Sequence, residues 1–571
     1  MKSSEIMQKY KINGALTGKK LMKYLPFMIM TNLSTLLLVS VDGIVVGNFV
    51  GTKALSSVNI FSPIVVVIGV LSNYFAAGIS TQLSVCMGTS DMDGICRVKD
   101  ASKKIMIAAA CFVAVIQLPI VFGLIESYGL SSEMKSLTWN YAIGVMISMP
   151  FGMISTIGVC QLQIVGKMRA LMVLSAVEGL VNLGLDLLFV AGLDMGVAGA
   201  GYGTALANIV RATATVVYLY KKTKIFSTSG IKSSFEDIKK ILYRGVPELS
   251  SSVMLAIQNY LIVIIVLHQM GENGGAIRGV CVFALSLASV AINGIQGLMR
   301  PLIGILTGSE DWRGLRILFR QTIKLITIIV GILTVLVLAF PEIVFTIHGI
   351  DKIPAYGVAS LRLFALHFLI KGYDAIYRLY FANRGNAKFS SVVTIAGSAT
   401  MPLFAYIFGM LVNAEWLWFG YFMAEGIILI ANVIKYKRIV SQDVVNDKEI
   451  GRLYMTIMPD EAVEASRELR KYAKEKGVSD RIAYRLSLCV EEMIAYARTS
   501  QKNKDISVQV IIKFLKNEAV FLMIDDGECI ALNEDKETKE IITDNYELIK
   551  KVAHSIDYKY MLDMNHTMIK I

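Results

Sequence analysis

Twelve apolar stretches, each long enough to cross a bilayer, fall at residues 25–48, 57–87, 105–125, 138–165, 170–192, 196–220, 247–268, 277–307, 322–341, 357–382, 389–412 and 415–434. About 20 apolar residues suffice for a spanning helix. Backbone in lipid must satisfy its own hydrogen bonds, so runs of this length can only be helices. Several exceed the bilayer's demand and are expected to tilt or to extend into the cytoplasm. The composition agrees. The chain is 54% hydrophobic and 18% charged, whereas a soluble chain carries about a quarter charged residues. The expected fold is an all-α polytopic membrane domain of twelve transmembrane helices.

The net charge of +12 does not point to nucleic acid, because the basic residues flank the apolar stretches. The N-terminal tail, the even-numbered connections and the KYKR after the last stretch hold roughly 28 Lys and Arg; the odd-numbered ones hold about 4, including Lys53, Lys135, Arg278 and Lys352. That asymmetry puts both termini in the cytoplasm. The first apolar run continues to spanning length, so no cleaved signal peptide is expected. The seven cysteines are scattered, with no CxxC pair and no His/Cys cluster, so no metal site is expected.

The two halves repeat. Pro26, Gly88 and Gly166 recur as Pro247, Gly308 and Gly385, each about 220 residues later. An even number of spans per copy gives parallel repeats, two pseudosymmetric six-helix lobes with a substrate path between them. The expected order is an N-terminal cytoplasmic tail (1–23), an N-lobe (24–220), a cytoplasmic connection (221–245), a C-lobe (246–440), a linker (441–451) and a C-terminal domain (452–571). The last of these is charged and soluble in composition. It reads strand, two helices, two strands, helix and a closing strand pair, an α/β sandwich.

Ionisable residues inside the spans are costly and tend to face a cavity or a partner. Asp42 in the first span and Asp186 in the fifth lie at nearly equal depth in the outer half of the bilayer. Glu178, Asn182 and Asp186 follow an i, i+4, i+8 spacing and so share one helix face. Two carboxylates at one depth with an amide below can share a proton or hold a small cation; all four residues are candidates for cation coupling. The repeat maps Asn182 and Asp186 near Met401 and Ala405, so coupling belongs to the N-lobe. A second set, Lys371, Asp374 and Arg378 in the tenth span, has the spacing of an intrahelical salt-linked triad that Glu425 could join. It is either a self-neutralised structural cluster or a contact for an anionic or zwitterionic substrate.

At SVDGIVVGNFVGTKALSSVNIFSPI and QIVGKMRALMVLSAVEGLVNLGLDLLFVAGLDMGVAGAGYGTALANIV the chain resembles the multidrug and toxic compound extrusion (MATE) family, over about residues 15–440. The resemblance implies efflux coupled to inward H⁺ or Na⁺, with Asp42, Asn182 and Asp186 at the cation site. The segments RIAYRLSLCVEEMIAYA and VFLMIDDGECIALNE resemble the ATPase domain of anti-sigma-factor serine kinases, over about residues 452–571. There the match is degenerate. Glu492 is followed by Tyr496 where the resemblance calls for a magnesium-holding Asn. Asp525, Asp526 and Gly527 keep the adenine-facing motif, and Asp544, Asn545 and Tyr546 replace the Gly-x-Gly of the lid.

The leading expectation is a cation-coupled secondary active exporter of small organic compounds, cationic or amphipathic ones among them. It would lie in the plasma membrane of a prokaryote, surrounded by lipid, with no catalytic residues and no cofactor beyond the coupling H⁺ or Na⁺. Its cytoplasmic domain would be regulatory and would bind a protein partner. The rivals are a lipid-linked saccharide flippase, which would need a broad cationic cavity built from Lys371, Arg378 and Arg300, and a membrane-anchored protein kinase.

Overall fold

The computed structural model describes residues 15–89, 91–127, 130–222, 231–347, 353–354, 356–450, 452–499, 506–515, 518–527, 544–561 and 564–571. Each of the apolar stretches coincides with helix. In chain order these are α1 (Ala15–Phe49), α2 (Thr52–Gly88), α3 (Met92–Ser127), α4 (Ser132–Val165), α5 (Met168–Asp186) and α6 (Gly196–Lys222). There follow α7 (Phe235–Gly271), α8 (Gly274–Gly308) and α9 (Trp312–Ala339), then the short α10 (Pro341–Ile347), α11 (Gly357–Ala365), α12 (His367–Asn383), α13 (Ala387–Leu411) and α14 (Phe419–Ile450). Among the described residues nine helices are long and apolar enough to cross a membrane. This is a multi-pass membrane protein.

Three local departures from the expected helices have physical causes. The tenth span is two helices, α11 and α12. At their junction the His367 ring nitrogen Nδ1 bonds to the Phe364 carbonyl and competes with the helix ladder. The twelfth opens with a 3₁₀ turn over Ala414–Trp418. The expected linker 441–451 continues α14 as far as Ile450, and residue 451 lies outside the described residues. So do residues 1–14 of the tail and 223–230 of the central connection.

The helix ends repeat. Asp91 Oδ1 accepts the Gly94 N–H at 2.7 Å before α3, and Asp311 Oδ1 accepts the Gly314 N–H at 2.7 Å before α9. Each is an acidic cap on orphan helix donors. Gly166 after α4 and Gly385 after α12 both take a left-handed φ, 83° and 88°, a conformation that suits a residue without a Cβ.

The chain divides into two compact units. One comprises residues 24–307 and 320–435; the other comprises 1–23, 308–319 and 436–571. The second contains a five-stranded, fully antiparallel sheet in the order β1-β2-β3-β5-β4. Its strands are β1 (Leu453–Ile457), β2 (Val508–Phe514), β3 (Ala519–Asp525), β4 (Ser555–Met561) and β5 (Met564–Lys570). Helices α15 (Ala462–Glu475), α16 (Asp480–Thr499) and α17 (Asp544–Val552) accompany it. Alternate residues Val508, Val510 and Ile512 face Leu469, Val490 and Met493 in one buried core, as a period of two requires. The opposite face is also buried: Tyr454, Ile511, Leu522 and Ile524 are 5%, 2%, 5% and 4% exposed. The expected α/β sandwich is present.

Candidate functional site: a carboxylate pair and a charged cavity

Glu178, Asn182 and Asp186 lie on one face of α5 and are all buried. Directly after Asp186 the helix widens into a π turn over Leu187–Gly192, an irregularity that tends to mark functional positions. From α1, Asp42 reaches the same place. Its Oδ2 accepts the Tyr141 hydroxyl of α4 at 3.0 Å and the Thr204 hydroxyl of α6 at 2.9 Å. Thr204 in turn accepts from Asn182 Nδ2 at 3.3 Å. Four helices therefore converge on one carboxylate through a donor chain of consistent polarity. Asp186 faces Asp42, yet neither of its oxygens has a donor among the described residues. Two carboxylates buried together need a proton or a cation to offset their charge.

The structure thus brings together Asp42, Asn182 and Asp186, and adds Tyr141 and Thr204. A search for charges in apolar spans could not find an uncharged phenol and hydroxyl; GYGTALAN, with its glycines around Thr204, was the only visible signal. Glu178 stands apart from this network. Its Oε2 pairs with Arg211 of α6 at 2.6 Å, with side chains 3% and 14% exposed.

The second charged set lines a cavity of about 290 Å³. The expected triad within one helix is not what forms. Lys371 crosses to Glu425 of α14 at 3.5 Å, and Asp374 accepts from Asn432 of α14 at 3.0 Å. Arg378 Nη1 bonds Thr394 of α13 at 3.4 Å, and its Nε bonds the Asp374 carbonyl at 3.4 Å. Arg300, paired with Glu248 at 2.9 Å, and Arg244 line the same cavity.

In the second unit Asp525 ends β3 with Oδ1 accepting from Asn565 Nδ2 at 2.7 Å and from the Gly527 N–H at 3.0 Å. Burial pushes its carboxyl up to about 6, against the pull of those donors. Asp526 accepts the Ser507 N–H at 2.9 Å. Tyr496 packs into the domain core one turn after Glu492. The side chains of Asp544, Asn545 and Tyr546, at the start of α17, lie outside the described residues. In the same unit Glu310, on the connection between α8 and α9, accepts from Lys513 of β2 at 2.8 Å and pairs with Arg452 beside β1. Arg313 lies 5.8 Å from the Tyr454 ring centroid. Burial opposes the Glu310 charge, but Lys513 and Arg452 outweigh it and hold the carboxyl below its usual range.

Comparison with known proteins follows these features. The multidrug export protein MepA of Staphylococcus aureus is 22% identical over 424 residues, covering 72% of this chain and 91% of MepA. A MATE crystallised in complex with MaL6 matches with a TM-score of 0.70 and 21% identity, covering 76% of this chain and 99% of that one. The outward-facing conformation of a multidrug resistance MATE family transporter of the MOP superfamily matches with a TM-score of 0.71 and 20% identity, covering 78% and 99%. These proteins are transporters rather than enzymes. The membrane part of this chain therefore has the fold seen in these MATE transporters, and its residues 28–188 match the family model MatE.

Proposed function

We propose that the chain is a secondary active exporter of small organic compounds in a bacterial plasma membrane, driven by H⁺ or Na⁺ entering through Asp42 and Asp186. Its two six-helix lobes rock to give alternating access. The observation that carries this reading is the buried pair itself: Asp42 held by two hydroxyl donors, with Asp186 facing it and lacking any donor of its own. Binding a cation there removes a large electrostatic cost. Emptying it restores that cost, and so couples ion occupancy to the arrangement of α1, α4, α5 and α6. The recurrence of the Asp91 and Asp311 caps supports two equivalent lobes, and the multidrug exporters it is similar to support export as the direction. Both termini are cytoplasmic in this reading, on the Lys and Arg asymmetry.

The C-terminal domain is read as a degenerate relative of anti-sigma-factor kinases, serving as a regulatory and partner-binding surface. Tyr496, packed in the core, offers no metal ligand where an Asn would be needed. The Glu310 contacts give the domain a grip on the α8–α9 connection.

The test is transport by the purified protein in proteoliposomes, with a panel of fluorescent compounds and imposed H⁺ or Na⁺ gradients. Gradient-driven accumulation that Asp42→Asn and Asp186→Asn each abolish is the expected result. Transport at the wild-type rate by both variants refutes coupling at this site.

A further inference from the structure

Most of the charge around the cavity beside α12 cancels in pairs. Arg300 belongs to Glu248 and Lys371 to Glu425. What is left is unequal. Arg244 has no hydrogen-bond or ion-pair partner among the described residues. Arg378 hydrogen-bonds a hydroxyl and a backbone carbonyl, each at 3.4 Å, and its charge acts on Asp374 and Glu425 without a direct ion pair to either. Against these two guanidinium groups stands one carboxylate outside an ion pair, Asp374. It is 2% exposed, and its one bonded oxygen is taken by Asn432.

Arg244 and Arg378 are half-buried at the cavity wall, and a guanidinium partly removed from water favours an anion beside it. Its planar fork of donors matches a carboxylate or phosphate. The same cavity is also lined by Leu255, Ile292 and Met401, which suit an apolar body beside the charged group. We infer that this cavity binds an organic anion, a carboxylate or phosphate on an apolar frame, with Arg244 and Arg378 contacting its oxygens. The inference rests on the exporter reading for its physiological meaning and reverses the charge expected of a cationic substrate. The anion could arrive as a free metabolite-sized molecule or as a lipid headgroup.

The test uses full-length protein and three probes: pyrenebutyrate, the cation ethidium, and a short-chain fluorescent phosphatidate in the bilayer. Equilibrium binding to detergent-purified protein is measured alongside gradient-driven flux. Pyrenebutyrate or phosphatidate should bind saturably. Arg244→Gln and Arg378→Gln should each weaken that binding about tenfold to a hundredfold. Arg378→Lys, which keeps the charge but loses the fork, should recover part of it. Size-exclusion profiles matching wild type establish that the variants fold. A phosphatidate response without a pyrenebutyrate response identifies a headgroup as the source; the converse identifies a free anion. Anion binding without any flux sustains the site and sinks the exporter reading. Ethidium binding with no anion binding, or anion binding indifferent to both glutamine variants, overturns the inference and leaves the exporter reading standing.

Discussion

Gly203 lets α6 approach Asp186 so closely that a methyl group added there would sit 2.2 Å from the carboxylate Oδ1. The contact is with the Asp186 carboxylate itself, so relief has to come from moving either that carboxylate or the helix that carries Thr204. Gly203→Ala should therefore lose ion-driven transport and lower the protein's thermal stability by about 1–3 kcal/mol. Gly179→Ala is the control: it lies on α5 with nothing within 4 Å of the added carbon. Melting curves and flux assays on the two variants check both halves of the statement.

Tyr141→Phe and Thr204→Val each remove one donor from Asp42 while nearly preserving shape. A hydrogen bond to a charged group contributes about 1.5–3 kcal/mol. Each change should therefore shift the apparent affinity for the coupling ion about tenfold to a hundredfold. Thr204→Val should have the larger effect, because it also strands the Asn182 amide. Polar replacements at Met401 and Ala405 should leave ion affinity unchanged. Equal ion affinity in wild type and both variants would show that these hydroxyls do not serve the site.

The Glu178–Arg211 pair makes a contrasting prediction. Both side chains are withdrawn from water, and breaking such a pair by removing one member costs about 3–5 kcal/mol. Glu178→Gln should lower thermal stability and yield in membranes, and Glu178→Gln with Arg211→Met should recover most of the loss. A Glu178→Gln variant of normal stability that cannot couple would instead return Glu178 to the cation site.

Glu310 gives the second unit a pH dependence of known sign. Its carboxyl is held below the usual range, so its contribution is in place above the ordinary carboxylate pKa and is lost as pH falls through the lowered value. Side-chain exposure of 45% keeps the effect small, about 1 kcal/mol or less. Hydrogen exchange in β1 and β2 of the full-length protein should speed up below about pH 4. Glu310→Gln should show the faster exchange already at neutral pH. Exchange in that variant indistinguishable from wild type at pH 7 removes the contact from consideration.

Asp525 has the opposite sign. Burial raises its pKa to about 6, so the strain of keeping it charged grows as pH rises from about 4 toward 6 and persists above. Asp525→Asn should stabilise the domain at pH 8, by on the order of 2 kcal/mol, and should give no gain at pH 4. Thermal melts at the two pH values decide the matter.

The helices and the shared face of Glu178, Asn182 and Asp186 were legible because each is written in one continuous segment with a period the eye can count. The strands of the C-terminal domain were legible for the same reason. What escaped was set by contacts between segments. Tyr141 meets Asp42 from 99 residues away, and Lys513 meets Glu310 from 203. The spacing of Lys371, Asp374 and Arg378 permits a triad on one helix, but Glu425 and Asn432 on α14 compete for the same groups. Spacing along a helix states which pairings are possible; packing against a neighbouring helix selects among them.

Both faces of the five-stranded sheet are buried, one against its own helices, and Glu310 of the α8–α9 connection and Arg313 of α9 reach its strands. The tail is therefore not a passenger that can be cut away or studied alone at no cost. Arg313 lies over the Tyr454 ring on the second face, so separating the tail from the α8–α9 connection uncovers that ring. Cleavage between α14 and β1 followed by loss of the tail would leave Glu310 on the α8–α9 connection without its counter-charges.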